Sequence, residues 1–231
     1  MAIAIIPARG GSKRIPHKNI RAFCGQPMLA YAINAARAAG CFSHIVVSTD
    51  DEEVAGVARE LGAEVPFLRA ADLADDHTGT TPVVIDAIRQ LDHLGMTAEH
   101  YCCIYATVPL IQADDLKRAH QYLLASQAPF VYTVAEFGFP IQRAVRMDER
   151  GCVTPFWPEQ MALRSQDLEP AYQDAGQFYW GSRAAWLGNI SPVGGNGVGH
   201  ILPRHRVVDI DTPEDWHLAE LLYRALQQHG A

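Results

Sequence analysis

The sequence predicts an α/β protein with a mostly parallel sheet flanked by helices. Short apolar runs alternate with amphipathic segments along most of the chain, and glycines and helix-capping residues punctuate the joints. The opening run also leads directly into a glycine-rich, strongly basic loop. Such alternation implies βαβ units, whose strands lie parallel and whose helices cover both faces of the sheet.

The elements follow in order. Ile3–Pro7 is an apolar run and reads as the first strand. Met28–Ala39 has helical spacing and is stopped by Gly40, where a left-handed residue is commonly required. His44–Ser48 is the second strand, and Asp51–Leu61 the second helix, ended by Gly62. Thr81-Pro82 supplies a cap and a first-turn proline for a helix over Pro82–Leu94. Tyr101–Ala106 reads as a buried strand in which Cys102 and Cys103 pack, followed by a helix over Asp114–Ser126 and a strand over Phe130–Ala135. The rhythm then breaks over Glu136–Gly181, with Pro140, Pro155, Pro158 and Pro170 scattered among Phe137, Phe139, Phe156, Trp157, Tyr172 and Phe178. That segment reads as an excursion from the sheet, and so many large apolar side chains argue against a plain solvated loop. Gly199–Leu202 and Val207–Asp211 have strand character, and Thr212-Pro213-Glu214-Asp215 opens a last helix over Pro213–His229.

With 231 residues, 48% hydrophobic and 19% charged, the chain suits one sizeable domain spanning 1–231. A net charge of −7 argues against general affinity for nucleic acid, so local basic clusters read as sites for small anions. The 5 cysteines lack metal-ligand spacing and predict reduced thiols in a cytoplasmic protein. No apolar stretch is long enough for a membrane span, and no secretory leader is evident.

The basic loop carries the strongest functional signal. Ala4–Asn19 reads AIIPARGGSKRIPHKN, with Gly10, Gly11 and Ser12 among Arg9, Lys13, Arg14 and Lys18. Glycines let backbone N–H groups approach an anion, and cations neutralise charge that amides alone do not hold. The P-loop spacing and the dinucleotide G-x-G-x-x-G fingerprint are both absent. On residues alone the loop is either a polyphosphate site, with a triphosphate the best fit, or a basic surface loop.

The run resembles the N-terminal motif of the cytidylyltransferases that activate nonulosonic acids, the sialic acid synthetase family: I-x-A-R-x-G-S-K-x-x-x-x-K-N. Ala8, Arg9, Gly11, Ser12, Lys13, Lys18 and Asn19 fall in step, and the resemblance continues to the C-terminus. It implies a Rossmann-like nucleotide-diphospho-sugar transferase fold with a dimerising excursion, and transfer of CMP from CTP to an acidic sugar with Mg²⁺. It assigns Arg9, Gly11, Ser12 and Lys13 to the phosphates, with Lys13, Arg9 and Lys18 as the catalytic cations, Ala8 and Asn19 beside the nucleotide, and Arg14 in support.

Three further clusters extend the resemblance. Asp209 and Asp211 match a V-D-I-D-T-P-x-D run and are implied as the Mg²⁺ ligands. On spacing alone they serve equally as metal ligands or as a helix flank with a solvated neighbour. Arg69, Asp76 and Thr80 belong to a run that lies beside base and ribose in the family, Arg69 toward cytosine, although Ala70 replaces the usual proline. Asp75 and Asp76 equally suit a solvated turn. Thr107 is retained in the acceptor loop, where Tyr105 stands in place of the usual glutamine. Arg164, Gln166, Gln177 and Tyr179 complete the expected sugar readers, with packing inside the excursion as the alternative. The altered acceptor loop favours a less hydroxylated sugar, with a methyl terminus and acylamino groups, over an N-acylneuraminate. A catalytically silent nucleotide-binding protein on the same fold is the rival from another class.

Overall fold

The computed structural model describes residues 2–75 and 78–228. Its first strand, β1 (Ala2–Pro7), is fully buried as far as Ile6, as an apolar run in a central parallel strand must be. A loop leads to the hairpin of β2 (Ala22–Phe23) and β3 (Gln26–Pro27), where Cys24 and Gly25 take φ of 44° and 99° to close a two-residue turn. α1 (Met28–Ala39) ends at Gly40, left-handed at φ 65°. β4 (Phe42–Ser48) precedes α2 (Glu52–Glu60), whose first N–H groups, Glu53 and Val54, donate to the Asp51 carboxylate at 2.7 and 3.1 Å. α3 (Thr80–His93) begins at Thr80 rather than Pro82, with Gly79 as its cap. Pro82 still falls in the first turn, where its missing N–H has no helical partner to lose. β5 (His100–Ile104), α4 (Ala113–Ser126) and β6 (Phe130–Glu136) follow. A small hairpin of β7 (Val145–Met147) and β8 (Val153–Pro155) stands apart, and β9 (Tyr172–Ser182), α5 (Arg183–Leu187), β10 (Gly197–Ile201) and α6 (Pro213–Gln228) complete the chain.

The main sheet is six-stranded in the order β10-β6-β9-β5-β1-β4, all parallel except β9, which runs antiparallel to β5 and β6. β9 corrects the expected excursion over 136–181: the departure from the sheet covers only residues 137–171. Trp180 is fully buried, stacks between Phe42 at 5.0 Å and His120 at 4.3 Å, and donates its Nε1–H to the Leu116 carbonyl. Its neighbours from Gln177 to Gly181 are buried on both sheet faces, so the strand shows no alternation and its sequence resembles irregular apolar chain.

The expectation of a strand at Val207–Asp211 is corrected too. The segment has no neighbouring strand to pair with and remains outside the sheet. Its alternation nevertheless survives, with Ile210 buried while Asp209 is exposed and Asp211 half-buried.

α1, α2 and α4 pack on one face of the sheet, and α3 with α5 on the other. A third, smaller core joins α6 to the functional end: Ile15 of the basic loop, Phe23, Tyr31, Ile210 and Trp216 pack together, with Phe23 edge-on to Tyr31 at 5.5 Å and to Trp216 at 5.4 Å. One apolar cluster thereby fixes the loop relative to the Asp209–Asp211 arm.

Behind that arm lies a buried ion network. Asp115 of α4 meets Arg206 at 2.5 Å, Arg118 at 2.6 Å and His200 Nε2 at 3.1 Å. Burial alone would raise its carboxyl, but hydrogen bonds from His200, Arg206 and Arg118 outweigh that and hold it well below the usual carboxylate range. All the cysteines are free. Among the described residues no helix is long and apolar enough to cross a membrane.

Candidate active site

A cavity of about 500 Å³ opens where β1 and β5 end, the position at which open α/β sheets receive ligands. The basic loop forms one wall, with Arg9, Ser12, Lys13, Arg14, Lys18 and Asn19 all lining it. Ala8 is buried and donates its N–H to the Ser48 carbonyl at 2.9 Å, extending the pairing of β1 with β4. Gly10 is required by close approach: a Cβ there would lie 2.2 Å from Asp51 Oδ2, a carboxylate already committed to capping α2. Its N–H donates to Asp50 Oδ1 at 3.2 Å. Gly11 is exposed, and no atom lies within 4 Å of where its side chain would begin. Asn19 is buried and donates its Nδ2–H to the Arg9 carbonyl at 2.8 Å, so it braces the loop from inside. Arg9 Nη1 donates to the Asp75 carbonyl at 3.1 Å.

The Asp209–Asp211 arm lies against the basic loop. Asp211 lines the cavity and pairs with Arg14 at 2.9 Å and with Lys18 at 3.4 Å, while Lys18 Nζ also donates to the Ile210 carbonyl at 2.7 Å. The start of α6 holds the arm from behind. Asp215 accepts the Asp211 N–H at 3.1 Å, the Thr212 N–H at 2.7 Å and the Thr212 hydroxyl at 2.8 Å, and its own N–H donates to Thr212 Oγ1 at 3.2 Å. This reciprocal cap is the one the Thr212–Asp215 run predicts. Asp209 is exposed and does not line the cavity; partial desolvation, followed by the Asp211 charge, pushes its carboxyl up. Among the described residues no three His, Cys, Asp or Glu side chains gather into a metal-binding group. Asp211 at the cavity, with Asp209 two residues before it, still offers oxygen ligands that fit magnesium, which takes few protein ligands when phosphates and water complete its shell.

On the nucleoside side, Arg69 and Thr80 line the cavity, and Asp76 lies outside the described residues. Arg69 is only 6% exposed; its guanidinium donates to the Ser48 carbonyl and to Ser48 Oγ at 3.2 Å. Burial lowers its pKa against the opposing charges of Asp50 and Asp86. Tyr105 and Thr107 line the cavity as well, and the Tyr105 hydroxyl shares a 3.1 Å hydrogen bond with Thr80 Oγ1.

The remaining expected sugar readers are not brought into the cavity of this chain. Gln177 and Tyr179 are core residues of β9: Gln177 Nε2 donates to the Arg206 carbonyl at 2.5 Å, its Oε1 is buried without a partner, and the Tyr179 hydroxyl donates to Asp174 at 2.6 Å. Arg164 and Gln166 sit exposed on the 137–171 departure, and Arg164 is engaged by Asp167 through two hydrogen bonds of 2.7 and 3.2 Å. Sequence reasoning missed Asp50, which holds the Gly10 amide, Asp115, whose partners His200 and Arg206 are distant in sequence, and Asp174, which meets Tyr179 only through the local path of β9. The legible signal there was the helix cap at Asp51, which says nothing of the loop packed over it.

A cationic loop with the Asp211 carboxylate against it meets the needs of phosphoryl-group transfer, where a protein positions charge more than it forms bonds, and the fold behind them is that of the nucleotidyltransferases. The chain belongs to the cytidylyltransferase family, whose model matches residues 3–177. It is 44% identical over 222 residues to a pseudaminic acid cytidylyltransferase of Campylobacter jejuni, covering 96% of each chain. It is 31% identical to a CMP-N,N'-diacetyllegionaminic acid synthase of Legionella pneumophila, over 98% of this chain and 97% of that one. Among solved structures, CMP:2-keto-3-deoxy-manno-octonic acid synthetase in complex with CTP shares the fold at TM-score 0.68 and 18% identity, with 98% of this chain and 99% of that one covered.

Proposed function

We propose that this protein transfers CMP from CTP to a nonulosonic acid, with pseudaminic acid as the acceptor, giving the CMP-sugar and pyrophosphate. The observation that carries the reading is the meeting of the cationic loop, Asp211 and the Tyr105–Thr80 wall in one cavity. The similarity to the Campylobacter jejuni relative, spread over 96% of both chains, supports the choice of sugar. Arg9, Lys13 and Lys18 neutralise the triphosphate, with Gly11 and Ser12 leaving it room, while Arg69 and Thr80 face the nucleoside. Asp209 and Asp211 would hold Mg²⁺, which supplies charge neutralisation on the phosphates when bound. The acceptor hydroxyl attacks the α-phosphorus as the bond to the bridging oxygen of pyrophosphate breaks.

Tyr105 and Thr107 form the acceptor end. A phenol in place of an amide offers one hydroxyl on a bulkier ring, which suits a deoxy, acylamino sugar better than a glycerol-tailed one. Pyrophosphate release measured with each nucleoside triphosphate against pseudaminic acid, N-acetylneuraminic acid and Kdo tests this. CTP with pseudaminic acid is expected to turn over fastest, by roughly tenfold or more, since unpaired buried polar groups penalise the wrong sugar. Tyr105→Gln should narrow the gap. Faster turnover of N-acetylneuraminic acid would make this an N-acylneuraminate enzyme, and no release with any pair would leave a silent nucleotide-binding protein.

The 137–171 departure mediates a homodimer in this reading. Phe139, Met147 and Val153 are 87%, 71% and 62% exposed, and Phe156 and Trp157 accompany them at the surface. So much clustered apolar area suits a symmetric interface with a second copy, which would bring Arg164 and Gln166 toward a neighbouring site. Light scattering at micromolar concentration should give twice the chain mass; a monomer would remove the interface.

A further inference from the structure

β9 is distorted in a way that its sheet neighbours do not require. Tyr179 pairs with Tyr132 and Asp174 with Val134, so β9 spends five steps where β6 spends two. In an unbroken strand Asp174 and Tyr179 would lie roughly 16 Å apart. Here a bulge turns the chain back. Gly176 is left-handed at φ 60°, its N–H donates to Asp174 Oδ1 at 2.9 Å, and Thr133 Oγ1 accepts the N–H groups of Gln177 and Phe178 at 3.2 and 3.3 Å. The result is that Asp174 Oδ2 accepts a hydrogen bond from the Tyr179 hydroxyl at 2.6 Å. Bulges beside functional sites commonly re-aim a side chain in this manner.

The consequence reaches the cavity through ring packing. Tyr179 stacks on Tyr132 at 5.8 Å and 7°, and leans on Tyr105 at 5.5 Å. Gly176 lies against the same Tyr105 ring, since a Cβ there would come within 3.9 Å of Tyr105 Cε2. Tyr105 lines the cavity and shares its hydroxyl with Thr80. Burial, with the neighbouring Tyr105 and Asp174, pushes the Tyr179 phenol far above its ordinary pKa, so it remains a donor to Asp174 at every working pH.

We propose that Asp174 is a positioning residue for the acceptor sugar: by fixing the Tyr179 hydroxyl it sets the tyrosine stack against which Tyr105 forms the acceptor wall. This rests on the reading of the cavity as a cytidylyltransferase site with Tyr105 at the sugar.

A double-mutant cycle tests it, using CTP and pseudaminic acid with Asp174→Ala, Tyr179→Phe and the double variant. Asp174→Ala removes the Gly176 bond together with the Tyr179 one, Tyr179→Phe removes the hydroxyl alone, and both keep a ring at position 179 in the core. Each single variant should raise the acceptor KM roughly tenfold, as expected for loss of a hydrogen bond to a charged group, with the CTP KM within about twofold. The double variant should be no worse than Asp174→Ala alone, because Tyr179→Phe removes an interaction that Asp174→Ala has already lost. Asp174→Asn, which keeps an acceptor oxygen, should recover most of the loss. Multiplying effects in the double variant would overturn the proposal, as would equal changes in both Michaelis constants with a falling Tm, the mark of a merely structural residue. Failure of the underlying reading looks different: the unmodified enzyme would release no pyrophosphate with any nonulosonic acid, and both inferences would fall. If it turns over another nonulosonic acid instead, the same cycle with that sugar decides.

Discussion

Lys13→Ala is expected to lower kcat by roughly two to three orders of magnitude, the range for removing one preorganised group that meets developing charge. The affinity for free CMP should change by less than about threefold. The physical reason is where Lys13 sits. It lines the cavity on the glycine loop after β1, next in sequence to Arg14, which pairs with Asp211, whereas Arg69 and Thr80 are the lining residues proposed to face the nucleoside. A cation on the phosphates that transfer or leave is felt most in the transition state, so its loss appears in kcat and little in the binding of a product that lacks those phosphates. Steady-state rates of pyrophosphate release, paired with calorimetric titration of CMP, separate the two. An equal loss of CMP affinity would move Lys13 to the nucleoside side and leave the phosphates to Arg9 and Lys18.

Asp211→Asn should cost turnover by roughly two orders of magnitude while leaving the fold intact. The substitution is isosteric, Ile210 still anchors the arm in its apolar cluster, and the Thr212–Asp215 cap is untouched. Two roles for the carboxylate then part company. As a magnesium ligand, its loss raises the metal concentration needed for half-maximal rate by about tenfold and weakens Mn²⁺ binding seen by electron paramagnetic resonance. As a counter-ion only, for Arg14 at 2.9 Å and Lys18 at 3.4 Å, it would leave both metal readouts unchanged. Asp209→Asn should behave like Asp211→Asn if the two share one ion. A full-rate Asp211→Asn enzyme would end the metal assignment for the pair.

The clearest agreement between sequence and structure lies in elements whose signals are local. Met28–Ala39 closes on Gly40, α2 is capped by Asp51, and α6 starts with the Thr212–Asp215 cap, because caps and left-handed glycines are decided within a few residues. The loop cations were legible for the same reason: charge and glycine content in one short run need no distant partner. Gln177 and Tyr179 illustrate the opposite. Both have the chemistry of sugar readers, and both are spent elsewhere, Gln177 on the Arg206 carbonyl and Tyr179 on Asp174. No spacing in the chain foretells either bond, since one crosses from β9 to the segment before the arm and the other exists only through the bulge.

By itself, the sequence determined the α/β class and the place of a glycine-rich basic loop after β1, and it offered Asp209 and Asp211 as candidate metal ligands. Tertiary structure alone decided that residues 172–182 return as an antiparallel strand within the sheet, since burial on both faces erases the alternation by which a strand is recognised. It also decided that the arm, with no strand to pair with, is held by the Ile15–Ile210–Trp216 cluster, and that Arg206 ahead of it in the chain is anchored by Asp115. Those contacts join groups far apart in the chain, and their geometry comes from packing, which the order of residues constrains but does not display.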